Sequence, residues 1–194
     1  FTDPALLGTY PDLLLEELSP FVQEGDLKLI QQPLDFFGLN HYTTMRARSA
    51  PDTALRVEIL QPPSEIPQTI KGWEINPEML YQQLLELKNR YGNLPVYITE
   101  SGCAAPDELD SEGQVSDPQR VAYFRDYLRA AARAIEDGVN LKGYFAWSLM
   151  DNFEWAEGYT QRFGIVYVDF PTQKRIPKDS FYALKNIFQH NKVD

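Results

Sequence analysis

The apolar and polar positions fall into a unit that recurs three times: a short apolar run, a polar cluster, a loop, then an amphipathic segment. The apolar runs are residues 34–39 (LDFFGL), 96–99 (VYIT) and 143–147 (GYFAW). Runs this short, bounded by turn formers, predict strands buried on both faces, as in a parallel sheet. Each run breaks off into polar residues: Asn40, His41, Tyr42 and Thr43 after the first, then Glu100, Ser101 and Gly102. After the third come Asp151, Asn152, Glu154, Trp155, Glu157 and Tyr159.

Between the runs the period changes to that of a helix. Asn76-Pro77 offers a cap and a first-turn proline, Met79, Leu80, Leu84, Leu87 and Tyr91 recur at helical spacing, and Gly92 supplies a stop. Asp117-Pro118 opens a second helix that runs to about Glu136. Its apolar stripe is Val121, Phe124, Leu128, Ala131, Ala132 and Ile135. A short helix follows Pro11-Asp12 and stops at Ser19-Pro20, since proline disfavours helix in the residue before it. Residues 163–170 alternate as a strand, 171–173 form a turn and 180–188 a last helix. Residues 49–72, with Pro51, Pro62, Pro63 and Pro67 and no period, read as a long surface loop of the kind that often carries function.

The polar clusters lie about 60 and about 47 residues apart, with a helix in each interval. Crossover helices imply parallel pairing and right-handed βαβ units. Three strands make too small a sheet to cover their own apolar faces. A (β/α)8 TIM-type barrel needs eight strands and ~250 residues. The expectation is therefore a single partial barrel domain, residues 1–194, whose remaining strands come from the same gene product or from a separate chain.

Composition narrows the function. The net charge is −10, without a basic patch, which disfavours nucleic acid as a partner. No apolar run approaches the ~18 residues of a membrane span, and no signal peptide is visible. Cys103, the only cysteine, excludes an intrachain disulfide. A cytoplasmic location is the expectation. His41 and His190 are too far apart for a metal site, and P-loop, GxGxxG and nucleophile-elbow patterns are absent, so no cofactor is expected. Aromatics reach 13% and gather beside the acids.

That pairing has a chemistry. Carboxylates bind sugar hydroxyls through charge-assisted hydrogen bonds, and indole faces pack on sugar C–H surfaces. Ligands of barrels and open α/β sheets bind at the C-terminal ends of strands, where all three clusters fall. Glu100, directly after its strand, is the strongest single candidate; a loop-capping or Arg-paired carboxylate is the bland alternative. Glu154 and Trp155 adjoin Trp147, although a lone Trp more often packs a core. Tyr42 can hydrogen-bond a carboxylate, Asn40 offers donor and acceptor, and His41 reads as structural.

DFFGLNHYT (35–43), GWEINPEML (72–80), ITESG (98–102), SLMDNFEWAEGYTQRFGIVYVDF (148–170) and KRIPKDSFY (174–182) follow one another in order. Together they resemble glycoside hydrolase family 1, the β-glucosidases and their relatives. The resemblance implies a (β/α)8 barrel and retaining hydrolysis of β-glycosides, with this chain supplying strands 6, 7 and 8. It makes Glu100 the nucleophile and Tyr42 the donor that keeps it ionised. Glu154 and Trp155 become hydroxyl ligands, Trp147 the stacking floor, and Asn40 and Phe163 pocket lining. Glu154 beside Trp155 favours an unphosphorylated sugar.

Two positions depart from the family's pattern: Ser101 where Asn is common, and His41 where Tyr is common. The family's acid/base glutamate sits in an Asn-Glu-Pro motif at the end of strand 4, and no such tripeptide occurs here. Its Gln and His-Asn sugar ligands are missing too. The sequence therefore corresponds to roughly the C-terminal two-fifths of a member. The alternatives are a non-catalytic sugar-binding module, or a structural half-barrel whose open strand edges drive dimerisation.

Overall fold

A computed structural model describes residues 2–53 and 56–193. Three short helices, α1 (Thr2–Leu7), α2 (Asp12–Leu18) and α3 (Asp26–Ile30), precede the strand β1 (Phe37–Asn40). An antiparallel hairpin follows, β2 (Arg46–Ser49) with β3 (Val57–Leu60). Then come α4 (Pro77–Tyr91), β4 (Val96–Ser101), α5 (Pro118–Glu136) and β5 (Leu141–Ala146). A single 3-10 turn (Trp155–Glu157), a second hairpin of β6 (Val166–Asp169) and β7 (Lys174–Pro177), and α6 (Asp179–His190) complete the chain.

β4 is the centre of the sheet, in the order β1-β4-β5 with both pairings parallel. The βαβαβ unit read from the spacing is therefore present, and α4 and α5 are its crossovers. Both helices lie against the same face of the sheet. Val96 and Ile98 of β4 and Leu39 of β1 meet Leu80, Leu84 and Leu87 of α4 and Tyr123, Phe124, Tyr127, Ala131 and Ala134 of α5, with Leu184 of α6 closing the cluster. The opposite face is bare. Phe36 is 51% exposed and Phe145 56%, one on each side of the half-buried Tyr97. The expectation of strands covered on both sides fails on this face because the described residues supply one helical layer only.

Four local readings also change. The stretch 49–72 contains half of a hairpin rather than loop alone: Arg48 pairs with Glu58 across it. Strand structure in 163–170 is confined to β6; Ile165, just before it, donates to the Ser148 carbonyl, and Val166 also bridges Met150 in parallel. Neither Asn76 nor Asp117 caps its helix through its side chain. Asn76 donates instead to Glu74 (2.8 Å), and Asp117 binds Arg120 and Ser180. Finally, α5 departs in part from the predicted stripe: Ile135 is exposed while Arg120 is wholly buried.

That burial has a cause. Arg120 donates to both oxygens of Asp107 (2.9 and 2.8 Å), to Asp117 and to the carbonyls of Cys103 and Arg162. Lys178, also fully buried, bridges Asp107 (2.5 Å) and Asp151 (2.8 Å). Asp151 further accepts from Arg162 (2.5 Å) and from the backbone N–H groups of Gly164 and Val168. Three carboxylates thus face three cations, and Arg120 has all five N–H donors occupied, the condition under which its buried charge is tolerable. Burial, then the nearby Arg120 guanidinium, holds the Lys178 pKa below its ordinary value. The network ties the loops after β4 and β5 to the start of α6.

No helix among the described residues is long and apolar enough to cross a membrane.

Candidate active site

The three polar clusters meet at the C-terminal ends of the three adjacent strands. Register shifts between Leu39 and Asn40 in β1, and between Ile98 and Ser101 in β4, set Asn40 opposite Glu100. Such irregularities at strand ends re-aim side chains. Backbone bonds close the seam: His41 N–H donates to the Glu100 carbonyl (2.8 Å) and Trp147 N–H to that of Ser101 (2.9 Å). Gly102 lies against the next strand end, and a Cβ there would be 1.9 Å from the Trp147 carbonyl oxygen. The Trp147–Ser148 peptide is cis.

Tyr42 donates its phenol proton to Glu100 Oε2 at 2.6 Å. Burial, then the Glu100 carboxylate itself, pushes the Tyr42 pKa far above the usual phenol value. The hydroxyl therefore stays a donor throughout the physiological range. Around it the aromatic rings of Tyr42, Trp73 and Phe163 stand with centroids 5.7 to 6.1 Å apart, in edge and tilted contacts. Phe163 is 2% exposed, so it backs Tyr42. Asn40 Oδ1 accepts from Thr99 (2.7 Å).

On the third strand end, Trp147 Nε1 donates to Glu154 Oε1 at 2.9 Å. Trp155 stands apart, 87% exposed, with φ of 43°. The structure thus joins Tyr42 with Glu100 and Trp147 with Glu154, whereas Trp155 makes no such pairing with them. Two residues that the apolar pattern did not single out complete the rim. Trp73 packs on Tyr42, and the Lys71 ammonium lies 4.9 Å from its ring while pairing with Glu157 at 3.4 Å. Trp73 was visible only as part of GWEINPEML, in a stretch whose lack of period hid its place.

His41 is buried behind this site. Its Nδ1 is 2.7 Å from Gln83 Oε1, its ring tilts over Tyr127, and Nε2 has no hydrogen-bond partner among the described residues. Burial lowers the His41 pKa below its ordinary 6.5. The unfolded chain then binds the proton more readily than the folded one, so stability falls as pH drops below about 6.5. His41→Tyr is expected to flatten this acid limb. Urea midpoints measured at pH 7.5 and pH 5.5 check it, and an unchanged pH dependence would refute it.

Among the described residues, no group of three or more His, Cys, Asp or Glu side chains is placed to hold a metal ion. Cys103 is buried, and burial pushes its thiol up to about 12, which leaves it unreactive near neutrality.

The sequence model of the family described as Glycosyl hydrolase family 1 matches residues 1–193. The chain belongs to that family. It is 47% identical over 194 residues to a 1,4-beta-D-glucan glucohydrolase of Thermotoga neapolitana, covering 98% of this chain and 43% of the relative. It is 44% identical over 197 residues to Beta-glucosidase A of Thermotoga maritima, covering 100% of this chain and 44% of the relative. The structure superposes on a family 1 β-glucosidase from Thermotoga maritima with a TM-score of 0.92, again covering 100% of this chain and 44% of the other. Structures of that family 1 protein include complexes with azafagomine and deoxynojirimycin. Family 1 structural neighbours have the TIM-barrel fold. This family 1 chain spans less than half the length of the relatives it matches.

Proposed function

We propose that this chain is the strand 6–8 portion of a family 1 β-glycosidase barrel, a single partial domain, with β1, β4 and β5 as those strands. In this reading Glu100 is the nucleophile of a retaining double displacement. What carries the reading is the 2.6 Å hydrogen bond from Tyr42 to Glu100 at adjoining strand ends. A phenol that stays protonated beside the carboxylate donates to it and fixes its orientation.

A Glu100 oxygen forms a bond to the anomeric carbon while the bond to the aglycone oxygen breaks. The departing oxygen takes a proton from a carboxylic acid outside this chain, on one of the missing strands. Water then attacks the same carbon, gives its proton to that carboxylate and releases Glu100. Glu154 is not that acid. Its Oε1 is engaged by Trp147, which suits it to accept hydroxyl protons from a neutral sugar such as glucose. Trp147 offers the stacking floor, Trp155 a further hydroxyl ligand, and Asn40 and Phe163 the lining of the same pocket.

Retaining chemistry needs two carboxyl groups about 5–5.5 Å apart, and only one belongs to this chain. The isolated chain is therefore expected to hydrolyse no cellobiose, whereas the barrel completed by its N-terminal strands does. Turnover of cellobiose by the purified chain alone would overturn the proposal. A second reading, a half-barrel that pairs with its own copy, is favoured by the bare sheet face at Phe36 and Phe145. Sedimentation as a compact monomer would remove it.

A further inference from the structure

We infer that Tyr123, on the helix behind the sheet, is a positioning residue that sets the Tyr42–Glu100 pair through the Tyr42 backbone. The inference rests on the reading of Glu100 as nucleophile. Tyr123 is 1% exposed and touches neither the open site nor solvent. Its hydroxyl donates to the Tyr42 carbonyl at 3.1 Å and lies 3.2 Å from Ser101 Oγ. A phenol has one proton. With that proton on the Tyr42 carbonyl, Ser101 is the donor in the second bond, and the three groups form a directed relay from β4 through α5 to Tyr42, two residues beyond β1.

The relay joins the neighbours of both reacting groups. Ser101 follows Glu100 in the chain, and Tyr42 is the group that binds Glu100. His41 N–H to the Glu100 carbonyl closes the ring on the strand side. The Tyr123 ring is itself fixed, stacked on Tyr127 with centroids 4.0 Å apart and planes 14° apart, and Tyr127 Oη accepts from Asn76 N–H at 3.0 Å. Burial keeps the Tyr123 phenol protonated, as the relay requires. Positions held this way are sensitive because small displacements of reacting groups cost rate. The sequence offered Ser101 only as a departure from the family's usual Asn. Its hydroxyl is short enough to reach the Tyr123 oxygen without passing it.

The test uses the completed barrel and the activated, slowly released sugar 2,4-dinitrophenyl 2-deoxy-2-fluoro-β-glucoside, which reports the covalent step at Glu100. Tyr123→Phe removes one oxygen and keeps the ring. The labelling rate is expected to fall about 2- to 10-fold, the loss of one hydrogen bond, with inhibition by glucose unchanged. In a Tyr42→Phe background the same change should have no further effect, because the relay acts through Tyr42. Additive losses, or a fall in glucose affinity equal to the fall in rate, would assign Tyr123 a merely structural role and overturn the inference. So would a wild-type labelling rate. If Tyr123→Phe does not yield folded protein, Ser101→Ala removes the proton donated to the same phenol and is read against the same outcomes. Labelling that persists in Glu100→Gln would instead overturn the nucleophile assignment, so the two failures are distinct.

Discussion

Glu100→Gln in the completed barrel should lower turnover of an aryl β-glucoside on the order of 10⁴-fold or more, the scale at which removal of a covalent nucleophile acts. The amide keeps the shape of the carboxylate and can still accept from Tyr42, so the fold and the sugar contacts should survive. KM should change little. Peptide mapping after fluorosugar treatment should find the wild-type label on Glu100 and no label in the variant. A label on any other residue, or activity within tenfold of wild type, would show that the bond-forming group lies elsewhere. Tyr42→Phe is the graded companion. A hydrogen bond to a charged group is worth about 1.5–3 kcal/mol, so its loss should cost roughly 10- to 150-fold in the covalent step.

Asp151→Ala should be the most damaging change to stability. It leaves Lys178 with one carboxylate, takes the carboxylate from Arg162, and strips the N–H groups of Gly164 and Val168 of their acceptor. Removing one member of a buried ion pair costs about 3–5 kcal/mol because the remaining charge stays buried. That is a large fraction of a typical domain's 5–15 kcal/mol. The loss should appear as a lower urea midpoint at unchanged slope. Adding Lys178→Met should recover part of it, since an uncompensated cation is then removed, and the two changes should be non-additive. A midpoint within experimental error of wild type would show that the network contributes little.

Much of this architecture was legible because local chemistry and tertiary demand agree there. Asn76-Pro77 and Asp117-Pro118 do open helices, and the runs before Glu100 and Trp147 are strands. The predicted stripe of α5 holds at Phe124 and Ala131 and departs at Ile135, which is exposed, and at Arg120, which is buried. Arg120 looks like a surface residue in sequence, because only Asp117, three residues before it, is a local partner, while Asp107, Arg162 and Lys178 are brought in by the fold. Similarly, β2 and β3 are only four residues each and largely exposed, Val57 and Ile59 included, so their pairing across a turn had no buried face to mark it. β7 was missed as well: Lys174–Pro177 carries one buried residue, Ile176, and gains its order only from β6.

The site divides in the same way. The types of its residues stood out as acids and indoles after apolar runs, and the family motifs assigned them roles. Their pairing did not stand out. That Tyr42 meets Glu100 from 58 positions away, and Trp147 meets Glu154 from seven, follows from which strands are neighbours and where the register slips.

Trp155 gives the protein an optical probe of its own. Of the three indoles, Trp73 and Trp147 are half-buried, while Trp155 is almost fully in water. Its emission should lie at the long-wavelength end of the tryptophan range and be accessible to a neutral quencher such as acrylamide. Docking of the remaining strands, or of a sugar, over residues 154–157 would shift that emission to shorter wavelength and shield it. The order of those two events could then be followed in a stopped-flow fluorimeter without attaching a dye.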